Sequence, residues 1–302
     1  MKRYVHFKHH HASQSVIGMI VLAAALLLAA CESQVTEQAF APDPTATATA
    51  TVEVVIEPSP MASMTPMPTL SACESSGVVV QGRSPAARGI ASLDYRMYLP
   101  PCYDEARPGG YPLLVLLHGA LYQDDQWDRL GVDETADRLI LSGQAPPFLI
   151  LMPTEPLSGA RLLESDFDTW LVGGLLPYID STYAVCSYCA CRAIGGLSRG
   201  AVWALRIGFV EWRSFGAVGG HSLLGDYPAL PQWSHDFNGQ GPLRLYLDSG
   251  SADPGIGDVR RVMNTLDILD IPYEWHLNPG NHDEAYWSAH VEEYLRWYSG
   301  GW

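Results

Sequence analysis

Six short strand-like runs, spaced between residues 93 and 277, constrain this chain more than any other feature. Leu113–Leu117 and Phe148–Met152 are continuously apolar. That is the pattern of strands covered on both faces, as in parallel sheets. Leu93, Tyr95, Met97 and Leu99 alternate with Asp94, Arg96 and Tyr98, which predicts a strand with one wet face. Ala193–Gly195, Leu243–Leu247 and Tyr273–Leu277 complete the set, and between the last two Val259, Val262, Met263, Leu266 and Leu269 fall at helical spacing. Strands alternating with helices imply right-handed crossovers, hence an α/β fold with a mostly parallel central sheet flanked by helices. Function in such sheets collects on loops at the carboxyl ends of the strands.

The first 72 residues read differently. Lys2, Arg3 and Lys8 precede an apolar run from Val16 to Ala30. Its 15 residues are too few to span a bilayer as a helix but suit the core of a signal peptide. The run ends Leu28-Ala29-Ala30-Cys31, which resembles the bacterial lipobox, whose cysteine is lipidated and becomes the first mature residue. An ordinary signal peptide with Cys31 incidental is the alternative, and the small residues before the cysteine favour the lipoprotein. His6, His9, His10 and His11 fall in the part to be removed and carry no metal expectation. From residue 31 to 72 the chain is rich in Thr, Ala and Pro, with no Lys, Arg or Gly. Such a stretch cannot bury enough apolar surface to fold, so a disordered tether is expected. The organisation is therefore a signal segment 1–30, a lipidated Cys31 with tether to 72, and one domain over 73–302, held at the outer face of a bacterial membrane. With 18 Lys+Arg against 33 Asp+Glu, the net charge of -15 argues against nucleic acid as a partner. The membrane is expected as a partner only through the lipid.

Five cysteines remain in the domain. A bridge between Cys73 and Cys102 would tie the domain's entry to its sheet, and export permits it. Cys186, Cys189 and Cys191 are crowded before the Ala193 strand. A zinc site needs four ligands, so one local disulfide plus one free thiol is the expectation. Spacing does not decide the connectivity.

Gly196-Leu197-Ser198-Arg199-Gly200 matches a nucleophile elbow, with strand-like sequence before it and helix-like sequence from Ala201 to Ile207. A serine on so sharp a turn holds a strained backbone, and glycines two residues either side avoid collisions. The pattern alone is weak in a glycine-rich chain, but the order of partners strengthens it. Asp253 follows the strand Leu243–Leu247, and His282 follows the strand Tyr273–Leu277. Each leaves a strand's carboxyl end, so all three can converge above the sheet. Asp248 is the rival acid, but it sits at the end of its own strand, where a structural role suits it better. Among the other histidines, His276 is inside a strand, His290 in the final helix and His235 in a loop with no strand before it. His221 follows an apolar stretch and is a candidate pocket residue. Leu117-His118-Gly119-Ala120 follows the best buried strand, the loop that supplies one oxyanion N–H in elbow enzymes. The backbones of Ala120 and Arg199 are therefore the expected oxyanion hole.

Tyr98-Leu99-Pro100-Pro101, Leu116-Leu117-His118-Gly119, Asp125-Gln126-Trp127, Ile194 to Gly200 and Gly280-Asn281-His282-Asp283 with Tyr286-Trp287 together resemble the esterase D-type esterases of the α/β-hydrolase superfamily. Feruloyl, acetylxylan and enterochelin esterases and mycolyl-transferring esterases are relatives in that group. The likeness runs from about residue 90 to 302. It implies the α/β-hydrolase fold, hydrolysis of small-molecule or carbohydrate-linked carboxylic esters, and a Ser198/Asp253/His282 triad with no metal and no cofactor. One departure is Ala201, where the family often carries a further glycine. Two other functions compete: acyl transfer to a sugar hydroxyl with the same triad, and an inactive hydrolase fold serving as a surface binding protein. Asp124, Trp127, Asp168, Trp170, Tyr286 and Trp287 are candidate substrate contacts and equally candidate packing residues.

Overall fold

Alternation along the buried strands builds two cores. In the computed structural model, Leu113, Val115 and Leu117 face one apolar cluster while Leu114 and Leu116 face the other, as the period of two in a strand requires. The structure describes residue 73 and residues 75–156, 165–225, 230–233, 237 and 243–302. The signal segment 1–30, Cys31, the tether to residue 72 and His235 lie outside the described residues.

Eight strands form one sheet: β1 (Val78–Arg83), β2 (Asp94–Leu99), β3 (Leu113–Leu117), β4 (Leu149–Pro153), β5 (Arg192–Leu197), β6 (Ala217–His221), β7 (Arg244–Gly250) and β8 (Glu274–Asn278). Their spatial order is β1-β2-β4-β3-β5-β6-β7-β8. The β1–β2 and β2–β4 pairs are antiparallel, and all others are parallel. Helices α1 (Gln126–Arg129), α2 (Val132–Leu141) and α8 (Glu284–Ser299) bury residues in the cluster beneath Leu114 and Leu116. On the opposite face lie α3 (Phe167–Trp170), a π-helical turn (Leu171–Leu175), α4 (Leu176–Thr182), α5 (Arg199–Val210), α6 (Leu230–Trp233) and α7 (Ile256–Ile268). Each sheet face is thus covered, which is why β3 and β4 have no polar side.

Two strands were not expected. β1 is an edge strand with an exposed start. β6 reads Ala-Val-Gly-Gly-His, and glycine is depleted in strands. Its glycines are explained from across the sheet: a Cβ at Gly219, like one at Gly195 in β5, would collide with the hydroxyl of Tyr298 from α8. β4 also lies one residue later than the apolar run Phe148–Met152 indicates.

Cys73 and Cys102 are bridged, with Cα atoms 5.9 Å apart. Cys186 and Cys191 form the local bridge across a 3-10 turn (Cys189–Cys191), their Cα atoms 6.2 Å apart. The expected spare thiol is corrected: Cys189 is buried, and the described residues include no free cysteine.

Candidate active site

β5 ends at Leu197 and α5 begins at Arg199, so Ser198 alone makes the turn. Its φ of 54° and ψ of -116° are sparsely populated for a residue with a side chain. The Ser198 N–H donates to the His221 carbonyl of β6 at 2.8 Å, which helps hold the turn. The flanking glycines are sterically required. A Cβ at Gly196 would strike the backbone of Gly200, and one at Gly200 would strike the carbonyl of Leu117. Gly119 lies beside the serine as well, since a Cβ there would sit 3.6 Å from Ser198 Cβ.

The loops after β7 and β8 are stitched together by their backbones. Ser251 N–H donates to Asn278 O at 2.7 Å, and Ala252 N–H donates to Gly280 O at 2.8 Å. Gly280 has a φ of 148°, and a Cβ there would strike the Tyr286 ring, so only glycine fits. This pairing carries Asp253 and His282 to the same rim. His282 Nδ1 lies 2.9 Å from Asp253 Oδ2, and His282 Nε2 lies 2.9 Å from Ser198 Oγ. The carboxylate can only accept, so Nδ1 carries the proton and Nε2 presents its lone pair to the serine hydroxyl. Asp253 is 2% exposed, Ser198 8% and the His282 side chain 17%. Burial works against the Asp253 carboxylate. The His282 hydrogen bond and the Gly255 N–H, 2.6 Å from Oδ1, nevertheless pull its pKa below the ordinary value. Trp287 packs edge-on against the His282 ring, with centroids 5.1 Å apart.

Asp248 lies inside β7, fully buried and away from this rim. One oxygen is 2.7 Å from His221 Nδ1, and the other accepts Tyr286 OH at 2.6 Å and Tyr294 OH at 2.8 Å. Burial first, and then the Asp248 charge, push both phenols well above the usual range, so both donate. The expectation that His221 lines a pocket is corrected: the ring is fully buried, and its Nε2 meets Tyr298 OH at 3.0 Å. His276 sits in β8 with Nδ1 3.3 Å from Glu293, and His290 in α8 bonds the Tyr286 carbonyl.

Ala120 lies three residues beyond the end of β3, and Arg199 follows Ser198 as the first residue of α5. His118 is buried; its Nδ1 lies 2.8 Å from Gly119 O and its Nε2 2.8 Å from the N–H of Glu155. The Arg199 guanidinium grips both Glu155 oxygens, at 2.7 and 2.6 Å. Nothing in the local sequence marks Glu155. Gln126, in the Asp125-Gln126-Trp127 motif, accepts the Gly119 N–H through Oε1 at 2.8 Å, a role that its local sequence does not reveal.

The candidate substrate contacts separate. Trp127, Tyr286 and Trp287 are buried, and Trp127 Nε1 donates to Leu117 O. Asp124 is 3.7 Å from Arg96, and Asp168 binds Arg206. Trp170 borders an open cavity of about 500 Å³, together with Leu121, Tyr122, Thr154 and Glu155, while Asp168 borders a separate one of about 350 Å³. Among the described residues no group of three His, Cys, Asp or Glu side chains is placed to hold a metal ion.

A family model described as "Putative esterase" matches residues 91–298. A structure of a ferulic acid esterase aligns with a TM-score of 0.66 at 22% identity, covering 75% of this chain and 99% of that one. The CE1 ferulic acid esterase of Anaeromyces mucronatus, solved with ferulic acid, aligns at 0.63 and 19% identity over 75% of this chain and 92% of its own. The S-formylglutathione hydrolase of Staphylococcus aureus gives 0.62 and 15% identity, over 74% and 98%.

Proposed function

The chain belongs to the "Putative esterase" family and is an ester hydrolase of the α/β-hydrolase fold, and we propose that it works through an acyl-enzyme on Ser198. The observation that carries this reading is the continuous hydrogen-bonded line Asp253–His282–Ser198, with 2.9 Å at both links, ending on a serine with a strained backbone. His282 Nε2 takes the Ser198 proton as Oγ attacks the ester carbonyl, while Asp253 holds the imidazole tautomer and stabilises the imidazolium. The carbonyl oxygen, now an anion, is received by the N–H groups of Ala120 and Arg199. His282 passes its proton to the departing alcohol as the tetrahedral species collapses. Water, deprotonated by the same nitrogen, then attacks the acyl group, and the acid leaves as Ser198 recovers its proton.

The preferred substrates on this reading are aryl or carbohydrate-linked esters. Support comes from the ferulic acid esterases among the structural neighbours and from Tyr122 and Trp170 on the cavity bordered by Glu155. The same reading puts the enzyme at a bacterial cell surface, tethered through a lipid on Cys31. The supports are the apolar run 16–30 before that cysteine and two disulfides suited to an oxidising compartment.

Fluorophosphonate labelling tests the nucleophile: the wild type should label and Ser198→Ala should not. Equal labelling of the two would end the acyl-enzyme reading. Product analysis with water and sugar acceptors, over aryl, acetyl-sugar and feruloyl esters, then tests the substrate class. Incorporation of labelled palmitate in cells, abolished in Cys31→Ala, tests the anchor.

A further inference from the structure

We propose that Glu155 is a positioning residue that locks the two halves of the oxyanion hole to each other, through its backbone N–H to His118 and its carboxylate to Arg199. The proposal rests on the reading above, in which the N–H groups of Ala120 and Arg199 receive the developing anion.

The first half of the lock follows from a tautomer. A backbone N–H can only donate, so His118 Nε2, 2.8 Å from Glu155 N, must present its lone pair. The ring proton is then on Nδ1, where it donates to Gly119 O at 2.8 Å. Burial holds His118 below the usual imidazole value, in keeping with a ring that stays neutral. Gly119 C=O and Ala120 N–H are opposite edges of one planar trans peptide unit. Fixing the carbonyl therefore fixes the direction of the N–H that the oxyanion needs. The peptide on the other side of Gly119 is held too, by Gln126 Oε1 at 2.8 Å.

The second half is ionic. Arg199 follows the nucleophile directly, and its guanidinium meets Glu155 with two parallel bonds of 2.7 and 2.6 Å. The two side chains are 13% and 2% exposed, so water neither screens nor competes strongly. Glu155 stands just beyond β4, His118 just beyond β3 and Arg199 just beyond β5. These strands are neighbours in the sheet. One residue just past the outer strand of the three thus ties the loop of the middle strand to the start of the helix after the third. The side chain of Arg199 acquires a function that its backbone N–H alone does not need.

Glu155→Gln and Arg199→Met keep every backbone N–H, so a hole indifferent to the lock would work normally in both. With the lock, kcat falls about 10- to 100-fold in each, short of the 10²–10³-fold typical when an oxyanion donor is removed outright. KM changes less than about threefold, and a trifluoromethyl ketone that forms a tetrahedral adduct binds weaker by the same factor as kcat. Arg199→Lys, keeping the charge without the fork, recovers only part of the loss. Glu155→Gln/Arg199→Met removes both charges together and guards against misfolding of a single variant that strands one buried charge. It loses no more kcat than the worse single variant, because the two residues act as one unit. Folded variants, by circular dichroism, with wild-type kcat and wild-type inhibitor affinity would overturn the lock. So would losses that appear in KM alone. If instead the wild type fails to label with fluorophosphonate, the acyl-enzyme reading itself has failed, which is a separate result.

Discussion

Asp248 and Asp253 give the sharpest contrast that mutagenesis can draw on this protein. Both are buried carboxylates bonded to a histidine Nδ1, at 2.7 and 2.9 Å. They differ in what the histidine touches next: His221 Nε2 meets Tyr298 OH, whereas His282 Nε2 meets Ser198 Oγ. Asp248→Leu strands three donors, those of His221, Tyr286 and Tyr294. Each buried donor left without an acceptor costs about 1–3 kcal/mol. Part of that is offset because a buried charge no longer needs desolvating, so a net loss of about 3–5 kcal/mol is expected. At about 2–4 °C per kcal/mol for a domain of this size, Tm falls by roughly 6–20 °C. Asp248→Asn keeps an acceptor for the tyrosines and lets His221 change tautomer, so its Tm falls less and kcat stays within about threefold of wild type. Asp253→Asn does the reverse. Stability changes little, but His282 is presented in the wrong tautomer, and kcat drops on the order of 10⁴-fold. Thermal melts and aryl-ester kinetics on the same three preparations decide the matter. A collapse of kcat in Asp248→Asn beside an active Asp253→Asn would refute the assignment of roles.

Three further outcomes follow from the geometry. Gly196→Ala drives a methyl into the Gly200 backbone, so a soluble variant should lose fluorophosphonate labelling while Ala201→Gly, which removes only a buried methyl, keeps it. Burial, with Glu134 alongside, pushes the Asp133 carboxyl up to about 7. A raised folded-state value means the folded protein binds the proton more tightly, so this group's contribution is full below the usual carboxylate pKa and lost as pH rises through about 7. Urea denaturation should find Asp133→Asn more stable than wild type at pH 8 and not at pH 4, and a gain confined to pH 4 would reverse the sign. Replacing each disulfide by alanines should cost roughly 3–4 kcal/mol for Cys73–Cys102 and about 2 kcal/mol for Cys186–Cys191, because the sequence separations are 29 and 5. Equal losses in denaturation would count against the loop-entropy account.

The parts of the fold legible in the sequence are those in which a residue's neighbours along the chain carry its reason. β3 and β4 announce themselves because both faces are buried and every side chain is apolar. The convergence of Ser198, Asp253 and His282 could be anticipated because each follows a strand in a parallel sheet, whose ends share one rim. β6 could not, since its glycines answer to Tyr298, which arrives from α8. Glu155 was silent for the same reason: its partners, His118 and Arg199, sit 37 and 44 positions away. Asp248 was read as structural from its place in the strand, but the ring of tyrosines that gives it that role is written in a helix almost 40 residues on.

The hydroxyl of Tyr298 occupies the space that side chains on β5 and β6 would otherwise fill. The centre of the sheet is therefore completed by a contact spanning about 100 residues of chain. Such a closure is costly in loop entropy and belongs to the slow, non-local kind of assembly. Until α8 docks, the strand that delivers the nucleophile has a hollow beside it, and hydrolytic competence should emerge with the last step of folding rather than with the first appearance of the sheet.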